Sequence, residues 1–377
     1  MVLVSGCWKL DAAELSADRV DFAPESAAPE GWVVESVTIN QLKCPDGVAS
    51  KFYLVYPKEA DLRQHPDAAA VPLALVFHSG SFDYIYPQAV RPPDPLAGES
   101  FTGDKRLTSD WAFKRVFTTL GMYPDDDPIE EHTGALPAEL ANQGIAMMLP
   151  ANCWGDWWHN RVGAAENVFA LDGFFRNGRA MAEFSWNYAI GFRPDGRPAE
   201  LPILIDTSRT YMIGLGEGGR AVGELFTYDL GATDAIRPQG ILIDSVVDDL
   251  RPYYKDALYA DTKQGLDHLF PLGETSVRSG QFGWVPIRYF PQNTGYLYSN
   301  GDTRIPAGAH IKYIDYLRPN IMAQRPELDS WVWQDIVTEH VLLNANPTLA
   351  EAAVSFMVGG FDALDPAYTT GPGATAP

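Results

Sequence analysis

The stretch that most constrains this chain is Asp206 to Arg220, DTSRTYMIGLGEGGR. There a strand-like run from Arg209 to Ile213 meets a helix-like run from Gly216 to Thr227 through four glycines, Gly214, Gly216, Gly218 and Gly219. A turn this sharp needs small residues two positions before and two positions after its apex, because Cβ atoms there collide with neighbouring backbone. An apex at Gly216 meets that rule with Gly214 and Gly218. An apex at Glu217 would put Leu215 where a small residue is required, so that register is worse. A glycine-rich helix N-terminus also binds phosphate. This one lacks the Lys-Ser/Thr pair of a phosphate loop, comes too late for a dinucleotide fold, and has Arg220 as its one nearby cation.

The remaining pattern surrounds that turn with alternating strands and helices. Trp32–Ile39 and Ser50–Tyr56 alternate apolar and polar residues, with Asp46-Gly47 between them, and read as an antiparallel hairpin. Val71–Phe77 and Ile145–Pro150 are continuous apolar runs, as strands buried on both faces require. Gly240–Asp244, Gly295–Ser299 and Trp331–Val337 read as further strands. Helices are expected at Ala135–Asn142, stopped by Gly144, and at Gly178–Ile190, Ala307–Leu317 and Pro347–Val358. Strands alternating with helices demand a mostly parallel central sheet with helices on both faces, preceded here by the antiparallel hairpin. Residues 1–30 read as an N-terminal tether or extension. Residues 31–363 read as one domain with loop insertions at about 82–134 and 250–290, and 364–377 as a flexible tail.

On these residues the chain resembles the α/β-hydrolase family, in its esterase-like and peptidase-like members. Gly214-Leu215-Gly216-Glu217-Gly218 is similar to that family's nucleophile elbow G-x-S-x-G, but Gly216 stands where the family has serine. Asp302, in Gly301-Asp302-Thr303-Arg304-Ile305-Pro306, matches the family's acid loop, and His340 follows the last strand, where the family places its histidine. The order apex, acid, histidine is the family's order. His78-Ser79-Gly80 follows the third strand, at the place of an oxyanion loop, and the N–H of Glu217 would be the second oxyanion donor. The resemblance implies an α/β-hydrolase-like three-layer sandwich over about 32–360. It also implies a site of Gly216, Asp302 and His340 in which the nucleophile position is vacant.

Taken singly, these residues have plain structural roles: Asp302 as a helix cap, and His340 as a buried, hydrogen-bonded histidine. Ser79, Ser81 or a water activated by His340 would each be a substitute for the missing hydroxyl, and nothing in the sequence favours one. Trp154, Asp156, Trp157, Trp158 and His159 follow the fourth strand. They read as packing within an insertion, with an aromatic ligand platform as the alternative. Asp125–Asp127 and Asp244 with Asp248-Asp249 lack the spacing of a calcium loop and read as solvated acidic turns. No metal and no cofactor is expected.

Composition bounds the partners. Asp and Glu number 49 against 28 Lys and Arg, a net charge of -21, and no basic cluster is present. This excludes nucleic acid and docking to anionic lipid through a basic face. No apolar run approaches the ~20 residues of a membrane helix. The three cysteines form no metal motif, and a Cys44–Cys153 disulfide stays open. Val4-Ser5-Gly6-Cys7 resembles the end of a bacterial lipoprotein signal, with a lipid anchor at Cys7, although the six residues before it hold no apolar core. A periplasmic, cell-surface or secreted location and a cytoplasmic one both stay open.

Two functional expectations follow. The first is a pseudo-hydrolase that binds a protein partner or small ligand, or serves as an accessory subunit. The second is a serine hydrolase of esterase or peptidase type whose nucleophile has been replaced by Gly216.

Overall fold

The computed structural model describes residues 19–20, 30–43, 49–77, 135–150, 182, 185–190, 201–216, 218–219, 222–223, 237–246, 291–302, 318–337 and 341–370. Its strands are β1 (Arg19–Val20), β2 (Trp32–Lys43), β3 (Ala49–Pro57), β4 (Val71–Phe77), β5 (Ala146–Pro150), β6 (Ile205–Leu215), β7 (Gly240–Asp244), β8 (Asn293–Ser299) and β9 (Asp329–Asp335). They form one nine-stranded sheet in the order β1-β2-β3-β5-β4-β6-β7-β8-β9. β2 and β3 are the expected hairpin, antiparallel from Trp32 opposite Pro57 to Lys43 opposite Ala49. β3 also runs antiparallel to β5. From β5 through β9 every pairing is parallel.

Alternation along the strands builds two apolar layers. Leu73, Leu75 and Phe77 of β4 join Met212, Ile241, Ile243 and Tyr296 on one face. Ala74 and Val76 join Tyr211, Ile213, Leu242 and Leu297 on the other. Period-two side-chain direction leaves strands buried on both faces only if each face has a cover. The first face is covered by helical residues 185–190, through Trp186, Tyr188 and Ala189, and by Val222. The second face is covered by helices α1 (Ala135–Asn142), α3 (Leu342–Ala345) and α4 (Pro347–Gly359). These contribute Leu136, Leu140, Leu343, Leu349, Ala353 and Phe356. Each such buried Leu or Phe stabilises the fold by about 1.5–3 kcal/mol. The architecture is an α/β-hydrolase-like three-layer sandwich.

α4 is fixed at both ends. Asn346 caps it, its Oδ1 accepting from the Leu349 N–H at 3.1 Å, with Pro347 in the first turn. At the other end the Asn293 side-chain amide donates to Met357 O at 3.0 Å and Gln239 to Val358 O at 3.1 Å. Carbonyls that a helix C-terminus leaves unpaired are thus satisfied by residues at the starts of β7 and β8.

The structure departs from expectation in four places. β6 begins at Ile205, four residues before the expected Arg209. Its polar start carries no apolar signal, but Val71 opposite Ile205 extends the ladder. Helix α2 (Arg318–Gln324) was not expected, because its apolar periodicity is weak. Arg19–Val20, inside the expected tether, pairs with Val37 and Ser36. The chain after Asp365, expected to be loose, starts with helix α5 (Pro366–Thr370). There the Tyr368 ring lies 5.0 Å from Trp333, and Trp331 Nε1 donates to Tyr368 O at 3.3 Å. The expected turn at Asp46-Gly47, the helix at 307–317, both insertions and residues 371–377 lie outside the described residues.

Candidate functional site

The register of the sheet assembles one edge. Phe77 lies opposite Gly214, Leu215 opposite Asp244, Asp244 opposite Leu297, and Ser299 opposite Asp335. The carboxyl ends of β4, β6, β7, β8 and β9 therefore open side by side, at the edge where ligands bind in open α/β sheets.

At the centre of that edge β6 ends in a tight turn. Gly216 has φ +55°, in the left-handed region that disfavours side chains. Its N–H donates to Asp244 O at 2.8 Å, and its carbonyl accepts from the Gly219 N–H at 2.9 Å. Residues 218–219 and 222–223 are helical. A Cβ on Gly214 would stand 2.5 Å from Gly218 O and 2.6 Å from Gly219 N. The turn leaves no room for a side chain at Gly214. The closest backbone facing Gly214 belongs to Gly219, one residue beyond Gly218.

Asp302 lies three residues past β8 and is 5% exposed. Its loop is locked to the chain leaving β9. Ser299 Oγ donates to Val337 O and accepts from the Gly301 N–H at 3.1 Å. Asn300 N–H donates to Asp335 O at 3.0 Å. A Cβ on Gly301 would sit 2.6 Å from Val337 O and closer still to Ile336 O, so glycine is what allows this approach. Ile336 beside it is 81% exposed. The chain then runs through 338–340 to Val341, which has φ +62°.

Sequence reasoning missed two residues here. Asp244 and Ser245 are fully buried, not part of a solvated acidic turn. Asp244 ends a wholly apolar buried strand, and that was the available signal. Ser245 Oγ donates to Asp244 Oδ1 at 2.8 Å and accepts from the Val341 N–H at 3.1 Å. Asp244 Oδ2 accepts from the Leu343 N–H at 2.9 Å. Ser245 itself has φ +54°.

Asp206 and Arg209, which precede the elbow in the sequence, stand at the opposite end of β6. Asp206 accepts from Ser208 and from Arg209 Nε, and these bonds lower its carboxyl to about 2. Gly216 and Asp302 are thus both at the carboxyl edge. His340, His78, Ser79, Gly80, Glu217, Trp154, Asp156, Trp157, Trp158, His159 and the three cysteines lie outside the described residues. Among the described residues no cluster of three or more His, Cys, Asp or Glu is arranged to hold a metal. No helix among them is long and apolar enough to cross a membrane.

No protein-family model matches the chain, and no curated protein matches it. Solved structures do. A prolyl endopeptidase aligns over 88% of this chain at 14% identity with a TM-score of 0.48, and this chain spans only 37% of its length. An S-formylglutathione hydrolase from Staphylococcus aureus aligns over 88% of this chain and 100% of its own at 11% identity, TM-score 0.40. An esterase B from Lactobacillus rhamnosis aligns over 86% and 79% of the two chains at 12% identity, TM-score 0.40. Nothing of those proteins' chemistry transfers to this chain at such identities.

Proposed function

We propose that the chain is a pseudo-hydrolase: an α/β-hydrolase-like protein that keeps the acid, the histidine and the oxyanion loop and has lost the nucleophile. One observation carries this reading. Gly216 occupies the tight turn after β6 with φ +55°, at the centre of the carboxyl edge. In a hydrolase of this architecture that turn lifts a serine hydroxyl to the substrate carbonyl. Glycine offers no hydroxyl, so no covalent acyl intermediate forms there.

Connectivity supports the places proposed for the other parts. Asp302 belongs to the loop joined to the start of the histidine segment through Ser299, Gly301 and Val337. In the proposed site Asp302 orients His340. His78-Ser79-Gly80 leave β4 directly after Phe77, which lies opposite Gly214, two residues before the turn. With the Glu217 N–H they would present donors to a carbonyl or carboxylate. A cleft with donors and no nucleophile binds an ester, amide or carboxylate without turning it over. The role that remains is binding, or service as an accessory subunit to a partner that the chain's net charge of -21 directs toward basic faces.

The test is hydrolysis of short-chain p-nitrophenyl esters by the chain as written and by His340→Ala. The expected result is no turnover above background in either. Turnover by the chain as written that disappears in His340→Ala overturns the proposal.

A further inference from the structure

Asp244 touches both halves of the proposed site. Its backbone carbonyl accepts from the Gly216 N–H at 2.8 Å. Its carboxylate accepts from the Leu343 N–H at 2.9 Å and from Ser245 Oγ at 2.8 Å. Ser245 Oγ in turn accepts from the N–H of Val341, the residue that follows His340. A single residue at the end of β7 is therefore hydrogen-bonded to the apex turn and to the chain leaving the histidine.

This arrangement is costly for plain structural support. Asp244 is a fully buried carboxylate, which is unfavourable unless its oxygens are hydrogen-bonded. Ser245 and Val341 are the described non-glycine residues with positive φ, at +54° and +62°. Each such conformation costs about 1–3 kcal/mol, and for a β-branched valine it is a true outlier. The two strained residues bond to each other. A helix start such as that of α3 needs only a local Ser, Thr or Asp to cap it. Here the N-cap residue is Val341, which has no capping side chain. The cap comes instead from Asp244, 99 residues earlier in the chain. A remote cap adds what a local one cannot: a fixed distance between the capped backbone and the strand it comes from.

We propose that Asp244 and Ser245 are positioning residues that hold the Val341–Leu343 backbone, the chain that follows His340, at a set spacing from the Gly216 turn. The inference rests on the reading of Asp302 and His340 as an acid–histidine pair. The two residues act through the backbone of Val341 and Leu343 and touch no ligand.

The test reads the titration of the His340 ring protons by NMR, with the resonance assigned by its loss in His340→Gln. In Asp302→Asn the pKa of His340 should fall by about 1 unit, because a nearby carboxylate favours the charged ring. In Ser245→Gly, which suits the positive φ and removes the side chain that accepts from Val341, it should fall in the same direction by roughly 0.5 unit. Asp244→Asn should do the same, since one amide oxygen replaces the two carboxylate oxygens that accept from Leu343 and Ser245. Asn346→Ala removes the cap of α4 without touching Val341 and should leave the titration in place. If Asp302→Asn moves His340 but folded Ser245→Gly and Asp244→Asn do not, the inference is overturned and the pair stands. An Asn346→Ala variant that shifts His340 equally also overturns it, because general loosening then explains the effect. If Asp302→Asn leaves His340 unmoved, the acid–histidine pair itself fails and the inference falls with it.

Discussion

Gly214 and Gly219 pack backbone against backbone: a Cβ on Gly214 would stand 2.6 Å from Gly219 N and closer still to its Cα. Between them lies the turn that carries Gly216 at φ +55°. Gly214→Ala should therefore cost at least ~3 kcal/mol, because the obstacle is backbone that cannot rotate away. Urea unfolding of the variant checks this. A loss under ~1 kcal/mol would mean that the turn opens readily.

Gly301 poses the same demand in a second place, against Ile336 and Val337. Gly301→Ala should cost about 2–3 kcal/mol. Gly144 is the contrast: it has φ +67° but nothing within 4 Å of a Cβ. Gly144→Ala should cost only about 1 kcal/mol, the price of the left-handed conformation alone. Thermal denaturation of the pair separates close approach from backbone strain.

Away from the site, Arg63 pairs with Glu35 and Asp61 and donates to Tyr56 OH at 2.8 Å. Both carboxylates are buried while Arg63 is 43% exposed. Arg63→Met should cost about 3 kcal/mol, the low end for stripping a buried carboxylate of its partner, since the guanidinium keeps part of its hydration. Arg63→Lys should recover only part of this, because one ammonium cannot span both acids. Chemical denaturation of the two variants measures the difference.

Asp206 gives a pH-dependent expectation. Its folded-state pKa is lowered to about 2 by Ser208 and Arg209. A lowered carboxyl pKa contributes stability that is present above the unfolded value of about 3.9 and is lost as pH falls through the folded value. Asp206→Asn should thus be less stable than the parent at pH 6, and the gap should close between about pH 4 and pH 2. Because the pair lies at the surface, where solvent screens it, the gap should be small. A gap that widens on acidification would contradict the assignment.

Much of this fold was legible because strands buried on both faces announce themselves as apolar runs. Val71–Phe77 and Gly240–Asp244 were bounded by such runs, and Gly144 marked the end of α1 by its backbone chemistry. The Gly216 turn left a trace because a close backbone approach demands glycine at Gly214. Other features leave no local trace. The polar start of β6 is a strand only because Val71 pairs with it. α5 forms on Trp331 and Trp333, far from it in sequence. Asp244 looked like a member of an acidic turn. Its true role depends on Leu343, which only the folded chain brings within 2.9 Å.

In the proposed reading, one missing hydroxyl separates this chain from a working hydrolase. Fluorophosphonate labelling of the chain as written, of Gly216→Ser and of the Gly216→Ser/His340→Ala double variant tests it most directly. Serine at φ +55° should cost about 1–2 kcal/mol, so Gly216→Ser should fold. The expected result is no labelling as written, labelling of Gly216→Ser, and its loss in the double variant. Labelling of the chain as written that His340→Ala abolishes would contradict the lost nucleophile. A folded Gly216→Ser that stays unlabelled would contradict the retained acid, histidine and oxyanion loop.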